Sequence, residues 1–151
     1  MKFKIAAIVL TCLFSLTFTA RAEDAKIVKV LPHYLDLNGK HAVSPSLFDR
    51  DAYQVFLMRH PEKCSGLRFD VQWRAFKPQG LLLKVEMRGS ADNGAKIYTI
   101  EKQLKKETFW GNWTTLYYTG ENFKQLGKLL AWRVTLWRGD QLISEQKSFL
   151  W

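Results

Sequence analysis

After Gly66, apolar and polar residues alternate with a period of two over most of the chain, and that alternation predicts strands. Leu67, Phe69, Val71, Trp73 and Ala75 share one side while Arg68, Asp70, Gln72 and Arg74 share the other, as in a half-buried strand with Trp73 in the core and Arg74 in water. Leu81, Leu83, Val85 and Met87 repeat the pattern against Lys84, Glu86 and Arg88. The intervening Lys77-Pro78-Gln79-Gly80 is turn chemistry, so these two strands are expected to pair as an antiparallel hairpin. Ala91-Asp92-Asn93-Gly94 is a further turn, and strands are expected over residues 96–104 and 108–118. A second hairpin closes the chain: residues 130–137 and 141–150 flank Arg138-Gly139-Asp140, where Gly139 can take the positive φ of a tight turn. Its inner face reads Trp132, Val134 and Leu136 opposite Ile143. Glu145 and Lys147 fall in phase with Ile143 and Phe149, so a β-bulge or an exposed strand edge is expected beyond Ser144.

The pattern changes before Gly66. Residues 26–31 read as a first strand and Asp36-Leu37-Asn38-Gly39 as a turn. Residues 46–60 read as a helix: Ser46 can cap the first amides, Asp49 and Asp51 suit the helix start, Phe48, Ala52, Val55 and Phe56 share a face, and Pro61 ends it. About seven short strands with one short helix predict an all-β domain, an immunoglobulin-like or fibronectin-III-like antiparallel β-sandwich. The order strand, helix, then antiparallel strands also fits a cystatin-like α+β roll, in which one helix lies across a curved sheet. An outer-membrane barrel fits poorly, because the register Trp151, Phe149, Lys147, Glu145 would set two charges in hydrocarbon.

The start of the chain changes the picture from a domain to an exported domain. Lys2 and Lys4 precede an apolar stretch over residues 5–18, and Ala20-Arg21-Ala22 offers small residues at both positions a signal peptidase reads. Residues 1–22 are therefore expected to be a cleavable signal peptide, with residues 23–151 as a single domain that is periplasmic or secreted. The apolar stretch is too short to span a bilayer, and none later is as long. Cys12 lies inside it with apolar residues continuing beyond, which reads as signal-peptide filler rather than a lipid-anchored first residue. Cleavage leaves Cys64 as the remaining cysteine, so no internal disulfide is expected and the core must carry the stability. Without Lys2, Lys4 and Arg21 the 23 basic residues fall to 20 against 14 acidic ones, a formal charge of +6. The cations are spread along the chain, with Lys102, Lys105 and Lys106 the nearest to a cluster, so no nucleic-acid partner is expected.

The closing run Ala131-Trp132-Arg133-Val134-Thr135-Leu136-Trp137, the Gly139-Asp140 turn and the Ser148-Phe149-Leu150-Trp151 finish resemble the last hairpin of uncharacterised small exported bacterial proteins with an immunoglobulin-like or fibronectin-type-III-like sandwich. The likeness covers the final fifth of the chain well and the rest loosely. It implies a fold and a compartment, and no activity.

Candidate chemistry is sparse. His33, His41, His60 and Cys64, with Asp49 and Asp51 between them, are the right ligand types for zinc. Only His60 and Cys64 are closely spaced, however, and chance placement of surface histidines is the plainer reading, so neither a metal site nor a cofactor is expected. Cys64 has His60 nearby but no sign of a strained turn, and there is no Gly-x-Ser-x-Gly elbow. Arg138-Gly139-Asp140 matches an integrin-binding tripeptide, although Gly-Asp is ordinary hairpin chemistry. Asn112-Trp113-Thr114 fits a glycosylation sequon, relevant only in a eukaryotic secretory pathway.

The aromatic segment Phe109-Trp110-Gly111-Asn112-Trp113, with Tyr117 and Tyr118, is where a binding surface is expected. Alternation puts Phe109, Trp113 and Tyr117 on one side, read as the core side, and Trp110 and Tyr118 on the other, read as the binding residues. A loop covering Trp110 is the plainer alternative. The functional expectation is a non-enzymatic binding or structural module of the cell envelope or extracellular space, contacting a protein or glycan. The alternative is a small hydrolase or metal-dependent enzyme.

Overall fold

A computed structural model of the chain describes residues 25–77, 79–105 and 112–151. The expected signal peptide, Cys12 and the cleavage site fall outside them, as do Phe109, Trp110 and Gly111. Along the described chain run β1 (Ala25–Asp36), α1 (Leu47–Arg59), β2 (Cys64–Ala75), β3 (Leu81–Gly89), β4 (Tyr98–Gln103), β5 (Asn112–Thr119), α2 (Gly120–Leu126), β6 (Leu129–Arg138) and β7 (Gln141–Lys147). The fold is mostly β, with two antiparallel sheets, one ordered β1-β2-β5 and the other β4-β3-β6-β7. No helix among the described residues is long and apolar enough to cross a membrane.

Burial follows the period-two pattern. Leu67, Phe69, Val71 and Trp73 of β2 are buried, as are Leu81, Leu83, Val85 and Met87 of β3 and Val134 and Leu136 of β6, all in one hydrophobic cluster. Each such side chain contributes about 1.5–3 kcal/mol on leaving water, and Arg74 beside Trp73 is exposed as expected. The expected pairing of β2 with β3 does not form. β2 lies between β1 and β5, and β3 between β4 and β6, so the chain passes from one sheet to the other between Ala75 and Leu81. An inward-facing alternation is the same whether two strands lie side by side or face each other, which is why the pattern could not separate them.

Two bulges re-aim side chains. In β7, Ser144 is paired with Leu136 and Leu142 with Trp137, leaving Ile143 as the extra residue. The phase therefore flips at Ile143, just before the expected place, and Glu145 and Lys147 turn to water. In β1 the register passes from Ile27 opposite Trp73 to Lys29 opposite Gln72, with Val28 bulged. Lys29 thereby leaves the phase of buried Ile27 and joins Gln72 on the outer face of the sheet.

Helix α1 starts at the Ser46 cap, whose hydroxyl accepts from the Asp49 amide at 3.4 Å. Its inner side is Tyr53, Gln54 and buried Leu57, and the expected core face of Phe48, Ala52, Val55 and Phe56 is exposed, with Phe48 at 81%. The outer edge of β1 explains the choice. Gln54 accepts from the Tyr34 amide at 2.7 Å and donates to the Tyr34 carbonyl at 2.9 Å, while Tyr53 donates to Asp36 at 2.8 Å. Farther along that edge Ser144 accepts from the Ile27 amide and Gln146 donates to the carbonyls of Ile27 and Val28. Side chains thus close an edge that would otherwise offer open backbone groups. The cystatin-like roll is not the arrangement formed, since the strands divide between two sheets and α1 holds a strand edge.

A second helix, α2, was not expected from the sequence. It has two buried residues, Phe123 and Leu126, in seven positions that begin at Gly120 and are capped by Gly127, too short a run to show a helical period. It packs where β3 ends at Gly89, at which a Cβ would run into the Leu126 carbonyl oxygen.

Candidate functional site

The parity of β5 decides which aromatic residues reach solvent. Trp73 lies fully inside, and its indole N–H needs an acceptor. Thr114 on the neighbouring strand supplies one, its hydroxyl accepting at 2.9 Å in a buried hydrogen bond. Once Thr114 points inward, Leu116 and Tyr118 follow it and Trp113, Thr115 and Tyr117 point out. The expected assignment is therefore reversed. Tyr118, expected on the binding face, is 6% exposed and meets Tyr98 edge-on in the core at 6.3 Å. Trp113 and Tyr117, expected inside, are 47% and 56% exposed. Trp110, the other expected binding residue, lies outside the described residues.

Cross-strand register assembles the surface around these rings. Across the outer face of the three-stranded sheet, Lys29, Gln72 and Trp113 form one row, Leu31, Asp70 and Thr115 the next, and His33, Arg68 and Tyr117 a third. Lys26 and Arg74 pair at the end nearest Trp113. Four residues of strand separate Trp113 from Tyr117, or about 13 Å, and each row spans roughly 10 Å.

Asp70 sits at the centre of this face. Arg68 donates from Nε to both its carboxylate oxygens, at 3.0 and 2.8 Å, and Thr115 donates at 2.7 Å. His33 Nδ1 lies 3.6 Å away, an ion-pair distance longer than a hydrogen bond, and is otherwise buried without a partner. Burial pushes the Asp70 carboxyl up, but His33, Arg68 and Thr115 outweigh it and hold the group well below the usual carboxylate range. His41 packs against His33 with ring centroids 5.1 Å apart, and its Nδ1 is 3.4 Å from the Arg68 guanidinium. Burial, then the charge of Arg68 and the neighbouring His33, lower the His41 pKa, so its ring is neutral at neutral pH. Arg68 also stands over the Tyr117 ring, 5.9 Å from its centroid. The arrangement fixes Arg68 and uses up the charge of Asp70, leaving rings, amides and cations as what the face presents.

The other candidate residues separate. His33 and His41 meet on the outer face, whereas His60 contacts Glu62 at 3.0 Å and packs on Phe56. Asp49 accepts from Ser44, and Asp51 pairs with Arg50. Among the described residues no three His, Cys, Asp or Glu side chains are grouped to hold a metal ion. Cys64 is a half-buried free thiol pointed at the Leu57 carbonyl, and burial, with Glu62 and Asp36 nearby, pushes its pKa up and away from a thiolate. Gly139 takes a φ of +54° in the β6–β7 hairpin turn, and Arg138 donates to the Lys77 carbonyl at 2.7 Å, in the connection between β2 and β3. Asn112 of the sequon is buried.

A separate cleft of about 250 Å³ opens where β1 diverges from β6, lined by Met58, Leu67, Leu129, Leu130 and Trp132 among others. Its Gln54 and Ser148 side chains are engaged with backbone groups of Tyr34, His41 and Trp132. No protein-family model matches the chain, and no curated protein or solved structure matches it either.

Proposed function

We propose that the protein is an exported binding module of the cell envelope or extracellular space, with a fibronectin-III-like sandwich whose three-stranded sheet presents its outer face to a glycan. The observation that carries this is the outward pair Trp113 and Tyr117 on a hydrogen-bonded sheet beside Arg68 and Gln72. Indole and phenol rings offer apolar faces to sugar rings, and amide and guanidinium groups answer the hydroxyls around them. Residues mounted on strands are held more exactly than those on loops, which lowers the ordering cost of binding. The strand order supports the fibronectin-III form of the sandwich: the fourth strand lies beside the third, whereas an immunoglobulin constant domain puts it with the first, second and fifth. Export rests on the residues at positions 1–22.

The test is capture on an array of soluble polysaccharides, followed by titration of the best one against Trp113→Ala and Tyr117→Ala. Each substitution removes an exposed ring, so affinity should fall about tenfold while the melting temperature stays within about 2 °C of the parent. Undiminished binding by the double variant, or no capture of any polysaccharide, would overturn the proposal.

A further inference from the structure

The two outer faces of the sandwich handle charge in opposite ways. On the four-stranded sheet, cations and acids interlock. Lys84 lies 3.7 Å from both Glu86 and Glu101, Arg133 contacts Glu86 at 2.7 Å and Glu145 at 3.7 Å, and Lys147 contacts Glu145 at 3.3 Å. On the three-stranded sheet the acids among the described residues are Asp36, at the end of β1, whose carboxylate accepts from the Asn38 and Lys40 amides and the Tyr53 hydroxyl, and Asp70, which is already taken by Arg68, Thr115 and His33. Lys29 and Arg74 are exposed there with no ion pair among the described residues. The bulge at Val28 is what turns Lys29 to this face, in the same row as Gln72 and Trp113.

We infer that the ligand of this face is an acidic polysaccharide, an inference that rests on the glycan reading above. A sugar ring stacked on Trp113 would have its carboxylate or sulfate within a row of the Lys29 ammonium and one row from the Arg74 guanidinium, whose planar donors match a carboxylate or sulfate two at a time. Arg68 is fixed by Asp70 and cannot follow a ligand, so it sets the position of Tyr117 while Lys29 and Arg74 supply the attraction. Desolvating cations that have no internal partner is repaid by an anion and not by a neutral sugar. An anionic membrane is the less fitting occupant, because of the exposed phenylalanines among the described residues Phe48 and Phe56 lie on α1 and Phe149 beyond β7, which leaves Phe76, just past the end of β2, as a single one at the rim of this face.

The experiment measures retention of the purified exported protein by polygalacturonate, by neutral dextran and by phosphatidylglycerol-containing vesicles. Polygalacturonate should bind, weaken with added salt, and bind at least about tenfold less well to Lys29→Ala/Arg74→Ala than to the parent. A control pair that removes the same charge elsewhere, Lys124→Ala/Lys147→Ala, should bind like the parent. Equal losses in both double variants would show diffuse attraction and overturn the inference. Neutral dextran bound as well as polygalacturonate, with the binding lost in Trp113→Ala, would overturn the acidic ligand and leave the glycan reading standing. Binding to vesicles alone would assign the face to a membrane, and no binding to any probe would remove both readings.

Discussion

Thr114→Val tests the hydrogen bond on which the orientation of β5 depends. The two side chains have the same shape, so the substitution opens no cavity, and the added methyl gains a few tenths of a kcal/mol to about 1 kcal/mol by burial. Against that gain, the Trp73 indole N–H loses its acceptor at a site where both residues are buried, 2.9 Å apart. An unsatisfied buried donor costs about 1–3 kcal/mol. The net expectation is a loss of about 1–2 kcal/mol, or roughly 3–6 °C in melting temperature for a domain of this size. Urea denaturation of four proteins, the parent, Thr114→Val, Trp73→Phe and the double variant, isolates the pairwise part. Phe carries no N–H, so Thr114→Val on the Trp73→Phe background should cost less than about 0.5 kcal/mol. A neutral Thr114→Val, or the same cost on both backgrounds, would mean that packing alone sets the strand's parity and that the hydrogen bond follows from it.

Gly89→Ala should destabilise by about 1–3 kcal/mol in thermal melts, because its Cβ would meet the Leu126 carbonyl oxygen at the α2 packing site; an unchanged melting temperature would refute that close approach. The Asp70 pKa is lowered by folding, so its stabilisation is present above the unfolded value near about 3.9 and is lost as pH falls below it. Asp70→Asn should therefore be less stable at neutral pH by about 1–3 kcal/mol and lose less on further acidification, and a parallel acid limb would refute the pairing with Arg68. The His41 pKa is lowered as well, so below its unfolded value near about 6.5 the unfolded chain binds more protons and stability falls; His41→Gln should flatten the profile there, as followed by melting temperature against pH.

Much of the sandwich was legible because burial on one face of a strand imposes a period of two. The inward sets of β2, β3 and β6 could be read residue by residue, and Trp73 and Arg74 fell on the expected sides. Sheet membership was not legible, since β2 and β3 present the same alternation to a shared core from opposite sides. The helix boundaries were readable from Ser46 and Pro61, but its buried face was not. Local apolarity favoured Phe48 and Phe56, whereas the open edge of β1 needed the amide of Gln54, a requirement created by tertiary structure.

The candidate site was mislaid by a single phase error with a physical cause. Trp113, Tyr117 and Tyr118 differ little in apolarity, so composition could not say which ring is buried. The deciding residue is small and polar: Thr114 goes inside because a buried indole requires an acceptor, and a threonine in a strand full of aromatics carries no such signal without its partner 41 positions earlier. With Thr114 inside, strand parity puts Tyr118 in the core and leaves Trp113 and Tyr117 in water. The same logic separates the two outer faces. Where acids and bases alternate across neighbouring strands, as around Glu86 and Arg133, charge is consumed within the protein. Where an acid is enclosed by its own neighbours, as at Asp70, Lys29 and Arg74 are left to act outward, and the surface they share with two exposed rings is the one proposed to hold an anionic sugar chain.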